Sequence, residues 1–439
     1  MTTSAPASAL PRLAGLAAEF RPPEHSGAVS AAIGLTVEVE GLTSSIGQQV
    51  LIDAGQPILC LVVGFRANKT ILMPFADPKG IAAGSRAIGL GHGARVIVGD
   101  GLLGRVLDGL GTPIDDGPSL RGGRIDLEQV GAGAHPLRRM PITEHLSTGV
   151  RVVDGMLACG RGQRLGIMAG SGVGKSTFLG MIARNSDSDI NVIALIGERG
   201  REVREFIDHN LGPEGMRKSV VVVATSDQSA LLRRNAAWVA ASIAEFFREE
   251  GRHVLFMMDS VTRFAMAQRE IGLAVGEPPT TRGFTPSVFA MLPMLLERAG
   301  CGESGTITGF YTVLVEGDDM NEPITDAVRG TLDGHIVLTR ELAAGNHYPA
   351  VDVLASVSRL MPQLVDKAHL ALAARVRSWL AAHRSAKDLL EIGAYVTGSN
   401  ADVDQAVARM PNILGFLRQD AHEVCAWPQM LSTLQAVAR

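Results

Sequence analysis

Aromatic residues are scarce in this chain: Phe, Trp and Tyr together fill 4% of 439 positions. Packing must therefore rest on aliphatic side chains, and a hydrophobic fraction of 46% supplies enough of them for a large core. Cysteine is as sparse. Cys60, Cys159, Cys301 and Cys425 lie far apart, which excludes a disulfide framework and any zinc-ligand spacing and reads as reduced thiols. Neither sign of charge dominates. A net charge of −4 excludes broad nucleic-acid binding by charge alone, so no nucleic-acid partner is expected. No apolar run reaches the length of a membrane span, and the N-terminus lacks the pattern of a signal peptide. These absences predict a cytoplasmic protein, and the length predicts two or three domains. Glycine is abundant instead, at 50 residues, as in a loop-rich α/β chain.

The pattern changes along the chain. Residues 1–30 are rich in Ala and Pro, with Leu10, Leu13, Leu16 and Phe20 at roughly helical spacing. They read as a docking segment for a partner or a neighbouring subunit. Residues 31–98 carry short β-rich pieces (35–39, 58–63 and 70–73) between turn residues, which predicts a small β-barrel. A Gly/Pro-rich connector follows. Residues 99–362 alternate strands with helices, the pattern of a mostly parallel sheet covered by helices. The expected strands are 163–168, 190–197, 219–225, 253–259, 307–315 and 334–339. Strand signals stop near 363, so residues 363–439 are expected to form a small helical domain, with helices over 369–383 and 402–417.

The stretch from Met168 to Thr177, MAGSGVGKST, joins an apolar strand to a helical run. That order is what a phosphate-binding P-loop needs. Gly170, Ser171, Gly172, Val173 and Gly174 form the loop, whose glycines let backbone N–H groups curl around phosphate oxygens. Lys175 supplies a point charge for the β- and γ-phosphates, and the Ser176 hydroxyl, followed by Thr177, can ligate Mg²⁺. Ala169 stands where the pattern usually begins with glycine. Hydrolysis needs two further carboxylates. Asp259 ends the apolar run from His253 and is expected on the Mg²⁺ side, acting through water; Glu198 ends the run from Ile190 and is expected to be the general base.

Taken together, these segments resemble the RecA-like hexameric ATPases of the rotary ATP synthase group, and within it the flagellar type III export ATPases. The matching stretches are RGQRLGIMAGSGVGKST (161–177), NVIALIGERGREVREF (191–206), SVVVVATSDQSALLRR (219–234), residues 253–289, residues 312–340 and YPAVDVLASVSR (348–359). The likeness runs from about 90 to 415. It implies a RecA-like P-loop core after a β-barrel and before a helical domain. It implies hydrolysis of ATP with Mg²⁺, with Glu198 as catalytic glutamate, Tyr348 packing on adenine, and Arg359 as an arginine finger reaching the neighbouring subunit's γ-phosphate. A guanidinium suits that task because it is planar and always charged.

The same resemblance implies partners: a homohexamer, a regulatory protein at the N-terminus, a central coiled-coil stalk, a membrane export gate met peripherally at the inner membrane, and export substrates with their chaperones. It places the turn 316–319 (EGDD) near a central pore. In rotary β-subunits, C-terminal aromatics close the adenine pocket, and here Ala421 and Trp427 fall at those places, although Trp427 reads more simply as a core tryptophan. Glu198 disfavours a non-catalytic ring subunit, which usually carries Gln there. Gly200 and the lack of an acidic run in 392–400 disfavour a synthase catalytic subunit. The injectisome secretion ATPase remains the alternative to the flagellar one.

Overall fold

The computed structural model describes residues 25–127, 137–315, 317 and 319–439. Leu10, Leu13, Leu16 and Phe20 of the expected docking segment, and Glu316 and Asp318 of the acidic turn, lie outside the described residues. The chain divides into two compact units, 1–93 and 94–439.

In the first unit six antiparallel strands close a barrel: β1 (Ser26–Ile33), β2 (Thr36–Glu40), β3 (Gln49–Ala54), β4 (Gln56–Arg66), β5 (Lys69–Pro74) and β6 (Arg86–Gly89), in the order β1-β2-β5-β4-β3-β6. Alternate residues such as Val37 and Val39, Val50 and Ile52, and Cys60 and Val62 fill its interior. The expected span of 31–98 differs at both ends. The barrel begins at Ser26, and Arg95–Val98 pairs instead with Gly123–Asp126 in the second unit. The reason is closure: β6 already pairs with both β1 and β3, so a further strand has no free edge to join.

The second unit is built on a nine-stranded sheet. Its core strands are β7 (Arg164–Ala169), β8 (Ile190–Ile196), β9 (Ser219–Ala224), β10 (His253–Asp259), β11 (Thr306–Leu314) and β12 (Gly334–Leu338). They lie parallel in the order β12-β7-β11-β10-β8-β9. Every residue of β8 and β9 is buried, because helices cover both faces. Val106–Leu107 of the connector extends the sheet beside β9, and Val357–Ser358 pairs antiparallel with the start of β12.

Four helices matter for the site: α1 (Lys175–Asn185), α2 (Ala230–Glu249), α3 (Val261–Val275) and α4 (Pro286–Leu296). Ser229 caps α2 by accepting from the Leu232 N–H. Glu245 on α2 and Arg298, two residues past α4, form a buried ion pair, and Arg298 also donates to the Ser242 hydroxyl.

Three C-terminal helices follow: α5 (Lys367–Glu391), α6 (Ala401–Leu417) and α7 (Trp427–Ala438). They share one hydrophobic core with the sheet, in which Phe416, Met430 and Leu434 join Val153 and Met156. Gly155 makes this approach possible, since a Cβ there would stand 2.6 Å from Phe416 Cζ. Among the described residues no helix is long and apolar enough to cross a membrane.

Phe416→Ala should cost about 3–5 kcal/mol, the usual range for emptying a buried aromatic site. Equilibrium urea unfolding of the purified chain checks this. A loss below about 1 kcal/mol would mean that the C-terminal helices do not share the core of the sheet.

Candidate active site

Parallel strands bring all their carboxyl ends to one edge of the sheet, and ligands bind there. β7 delivers the glycine loop to that edge. Gly172 and Gly174 adopt φ of 79° and 84°, conformations that a side chain would strain. The left-handed turn at Gly174 starts α1, so Lys175 is the first helical residue and the helix's positive end faces the loop.

β7 and β8 follow one another in sequence but are not neighbours in the sheet. β11 and β10 lie between them. The strand ends nonetheless converge. Lys175 Nζ contacts Asp259 Oδ1, and lies 3.6 Å from Glu198 Oε1. All three side chains are largely buried. Asp259 does not cap the next helix; Ser260 does, accepting from the Arg263 N–H. Instead Asp259 accepts a 2.7 Å hydrogen bond from the Thr312 hydroxyl on β11.

Electrostatics follow from this crowding. Burial works against the Lys175 charge, but the Asp259 and Glu198 carboxylates hold its pKa above the ordinary value. Burial, then the negative charge of Asp259, push the Glu198 carboxyl up to about 7, with Lys175 opposing them. Glu202, one helical turn on, shares a hydrogen bond with Glu198 that favours the protonated Glu198, and is itself held ionised.

Ser176 and Thr177 follow Lys175 and are exposed. Tyr348 flanks the loop: a Cβ on Gly174 would stand 3.2 Å from Tyr348 Cε1, and the residue is 43% exposed. Its carbonyl accepts from the Gln419 N–H, so the C-terminal segment beside Tyr348 is 418–419. Trp427 is elsewhere. It stacks on His145 with ring centroids 3.9 Å apart and packs against the core, while the Ala421 carbonyl accepts from Arg184. Of the two readings of Trp427, an adenine-pocket aromatic and a core tryptophan, these contacts are those of the core tryptophan.

Arg359 is not brought to this cluster. It follows Val357–Ser358, which pairs with the first residues of β12, at the opposite edge of the sheet from the glycine loop. It is exposed there, and its guanidinium donates to the Arg329 carbonyl at 3.4 Å. Of the described residues of the acidic turn, Gly317 and Asp319, the second pairs with Arg282 at 2.8 Å.

Three neighbours escaped the sequence reading. Thr312 looks like any β-branched strand residue. Glu202 was visible as the acid four places after Glu198. Arg340, whose guanidinium would lie 3.0 Å from a Cβ on Gly170, carried no signal beyond its place at the end of a strand.

A glycine loop, a lysine facing two carboxylates, and a base-like glutamate at the carboxyl edge of a parallel sheet define a P-loop nucleotide hydrolase. Comparison with known proteins narrows the class. Residues 149–358 match the ATP synthase alpha/beta family, nucleotide-binding domain, and residues 365–436 match the T3SS EscN ATPase C-terminal domain. The chain is 52% identical over 415 residues to the flagellum-specific ATP synthase of Bacillus subtilis, covering 94% of each chain. It is 50% identical over 414 residues to the type 3 secretion system ATPase of Xanthomonas euvesicatoria, covering 94% of this chain and 93% of that one. Among solved structures, the assembled ATPase EscN in complex with its central stalk EscO, from the type III secretion system of enteropathogenic E. coli, matches with a TM-score of 0.86 and 42% identity, over 94% of this chain and all of that one. The chain belongs to the family of flagellum-specific ATP synthases and type III secretion ATPases, and it is an ATP hydrolase.

With Glu198 as the expected general base, its raised pKa predicts an acid limb near pH 7 in the kcat/KM profile for ATP, since a base must be ionised. Glu202→Ala should move that limb downward. A profile flat from pH 6 to 8 would remove Glu198 from the rate-limiting proton transfer. Stability has the opposite sign. A carboxyl raised in the folded state favours folding below its ordinary pKa, and that contribution is lost as pH rises to about 7. Glu198→Gln should therefore raise Tm at pH 8 and leave it nearly unchanged at pH 4.

Proposed function

We propose that this chain is the ATPase of a flagellar type III export machine, acting as a homohexamer that hydrolyses MgATP at its subunit interfaces. The observation that carries the reading is the split placement of its groups. Lys175, Glu198 and Asp259 share one edge of the sheet, while Arg359 stands exposed at the other. A cation so placed cannot serve its own phosphate loop, but it can serve a neighbour's. Membership of a family whose members include an assembled ATPase supports the same view.

The residues divide the work as follows. Loop N–H groups and Lys175 bind the phosphates, so Lys175 must exchange part of its contact with Asp259 and Glu198 for phosphate oxygens. Ser176 and Asp259 would hold Mg²⁺. They fit it, being hard oxygen donors, with Ser176 as a direct ligand and Asp259 acting through water. When bound, Mg²⁺ would neutralise phosphate charge. Thr312 fixes Asp259, and Tyr348 offers its ring to the adenine. Glu198 accepts a proton from the attacking water. The neighbour's Arg359 stabilises charge as the bond to the γ-phosphate breaks.

Around this ring the proposal sets a regulatory protein held by residues 1–30, a coiled-coil stalk of the kind bound by EscN, export substrates with chaperones, and a membrane export gate met peripherally on the cytoplasmic side.

Glu198→Gln should retain ATP binding and lose turnover, because the phosphate contacts remain when the base is gone. Wild-type turnover in that variant would sink the assignment. Arg359→Ala should cost on the order of 10³-fold in kcat, about 4 kcal/mol. Mixing the two variants should restore activity, since some interfaces then pair an intact Glu198 with an intact Arg359. The flagellar assignment is checked in Bacillus subtilis lacking its own flagellum-specific ATP synthase. Expression of this chain should restore swimming, whereas rescue of an injectisome-deficient strain alone would reassign the machine.

A further inference from the structure

Arg359 is exposed, so its aim depends on the backbone that carries it. Two bonds fix that backbone. The Arg359 N–H donates to the Asp333 carbonyl at 3.1 Å, and the preceding Ser358 pairs with Gly334 in the antiparallel bridge. Both anchors meet one side chain, Gln163, which is fully buried. Its Nε2 donates to the Ser358 hydroxyl at 3.1 Å and to the Asp333 carbonyl at 3.3 Å. Its Oε1 accepts from the Gly160 N–H at 2.8 Å, and the Ser358 hydroxyl donates onward to the Ala158 carbonyl at 2.8 Å. Arg164 holds the same junction through its backbone N–H and guanidinium, both bound to the Asp333 carboxylate. A buried amide whose every donor and acceptor is used has one geometry, and it transmits that geometry to its partners.

We propose that Gln163 is a positioning residue for the arginine finger, acting through Ser358 and Asp333 on Arg359 and so on the neighbouring subunit's site. The inference rests on Arg359 acting across an interface. Gln163 immediately precedes β7, the strand that ends in the subunit's own glycine loop. A role in the subunit's own nucleotide site is therefore the competing reading, and the two give opposite results in mixed rings.

Gln163→Met keeps volume and removes the amide. Because it leaves the Ser358 hydroxyl and Gly160 N–H without their partner, Ser358→Ala serves as a second variant that keeps Gln163. Either should lower kcat on the order of 10- to 100-fold, the scale of a misplaced catalytic group, with KM for MgATP and binding of a fluorescent ATP analogue within about twofold. Each variant is then mixed with Glu198→Gln and, separately, with Arg359→Ala. Activity above the sum of the parts with Glu198→Gln, and none with Arg359→Ala, is the expected result, because only the first mixture holds interfaces with both sides intact. Rescue by Arg359→Ala instead would place Gln163 on the nucleotide side and overturn the proposal. So would a kcat within twofold of wild type in both variants. Mixing Arg359→Ala with Glu198→Gln is the control. If that pair alone shows no rescue, the finger across the interface is lost, and Gln163 with it; if it rescues while the Gln163 and Ser358 variants do not, only the positioning role fails.

Discussion

One lysine held against two carboxylates governs this structure. Lys175, Asp259 and Glu198 are mostly buried at the end of an apolar sheet, where each charge alone would be costly. Together they are tolerable, though not balanced, because two acids face one base. The surplus falls on Glu198, whose carboxyl is pushed up to about 7 by burial and by the charge of Asp259. The same imbalance bears on what can bind. A polyanion entering with no cation would meet a site already short of positive charge. On the proposed reading, a nucleotide that brought Mg²⁺ would correct the deficit and free Lys175 from its carboxylates.

Such a cluster can exist only if the strand ends are aligned. Parallel pairing provides this, since it sends every carboxyl end to one edge, and helices on both faces keep the strands dry. The order β7-β11-β10-β8 places Thr312 between the phosphate-loop strand and the strand of Asp259. Its hydroxyl thus holds the carboxylate from the side, with no competition from solvent.

The sequence exposes some of these features far better than others. All six core strands fall within one residue of their expected ends, because burial on both faces writes a continuous apolar run bounded by turns. Glu198 and Asp259 were legible for the same reason, as polar residues at the ends of such runs, and Lys175 as the lysine that closes the glycine loop. The barrel was harder. β1 reads SGAVSAAI, whose small residues show no alternation, and it escaped notice, as did β3 and β6. α7 was missed behind the Trp427-Pro428 pair that opens it. Trp427 itself could not be placed by alignment alone, because what it stacks on, His145, lies far away in sequence. Thr312 and Gln163 are ordinary residues in ordinary positions; only strand pairing reveals what they touch.

The distance between Arg359 and Lys175 within one subunit carries a consequence of its own. On the proposed reading, a single chain can bind nucleotide with its loop and lysine, yet lacks the cation that must answer charge on the γ-phosphate. Idle hydrolysis is then limited by geometry, since the missing group is attached to the wrong edge of the same sheet. Assembly supplies it, and each subunit both receives an arginine and lends one. β7 and β12 lie side by side, one leading to the phosphate loop and the other starting where Arg359 is anchored. Four residues of β7, Gly166–Ala169, pair directly with His335–Leu338 of β12, so the two ends are joined by a continuous hydrogen-bonded ladder. On the proposed reading, this strand pair is a short physical route from a subunit's own site to its neighbour's.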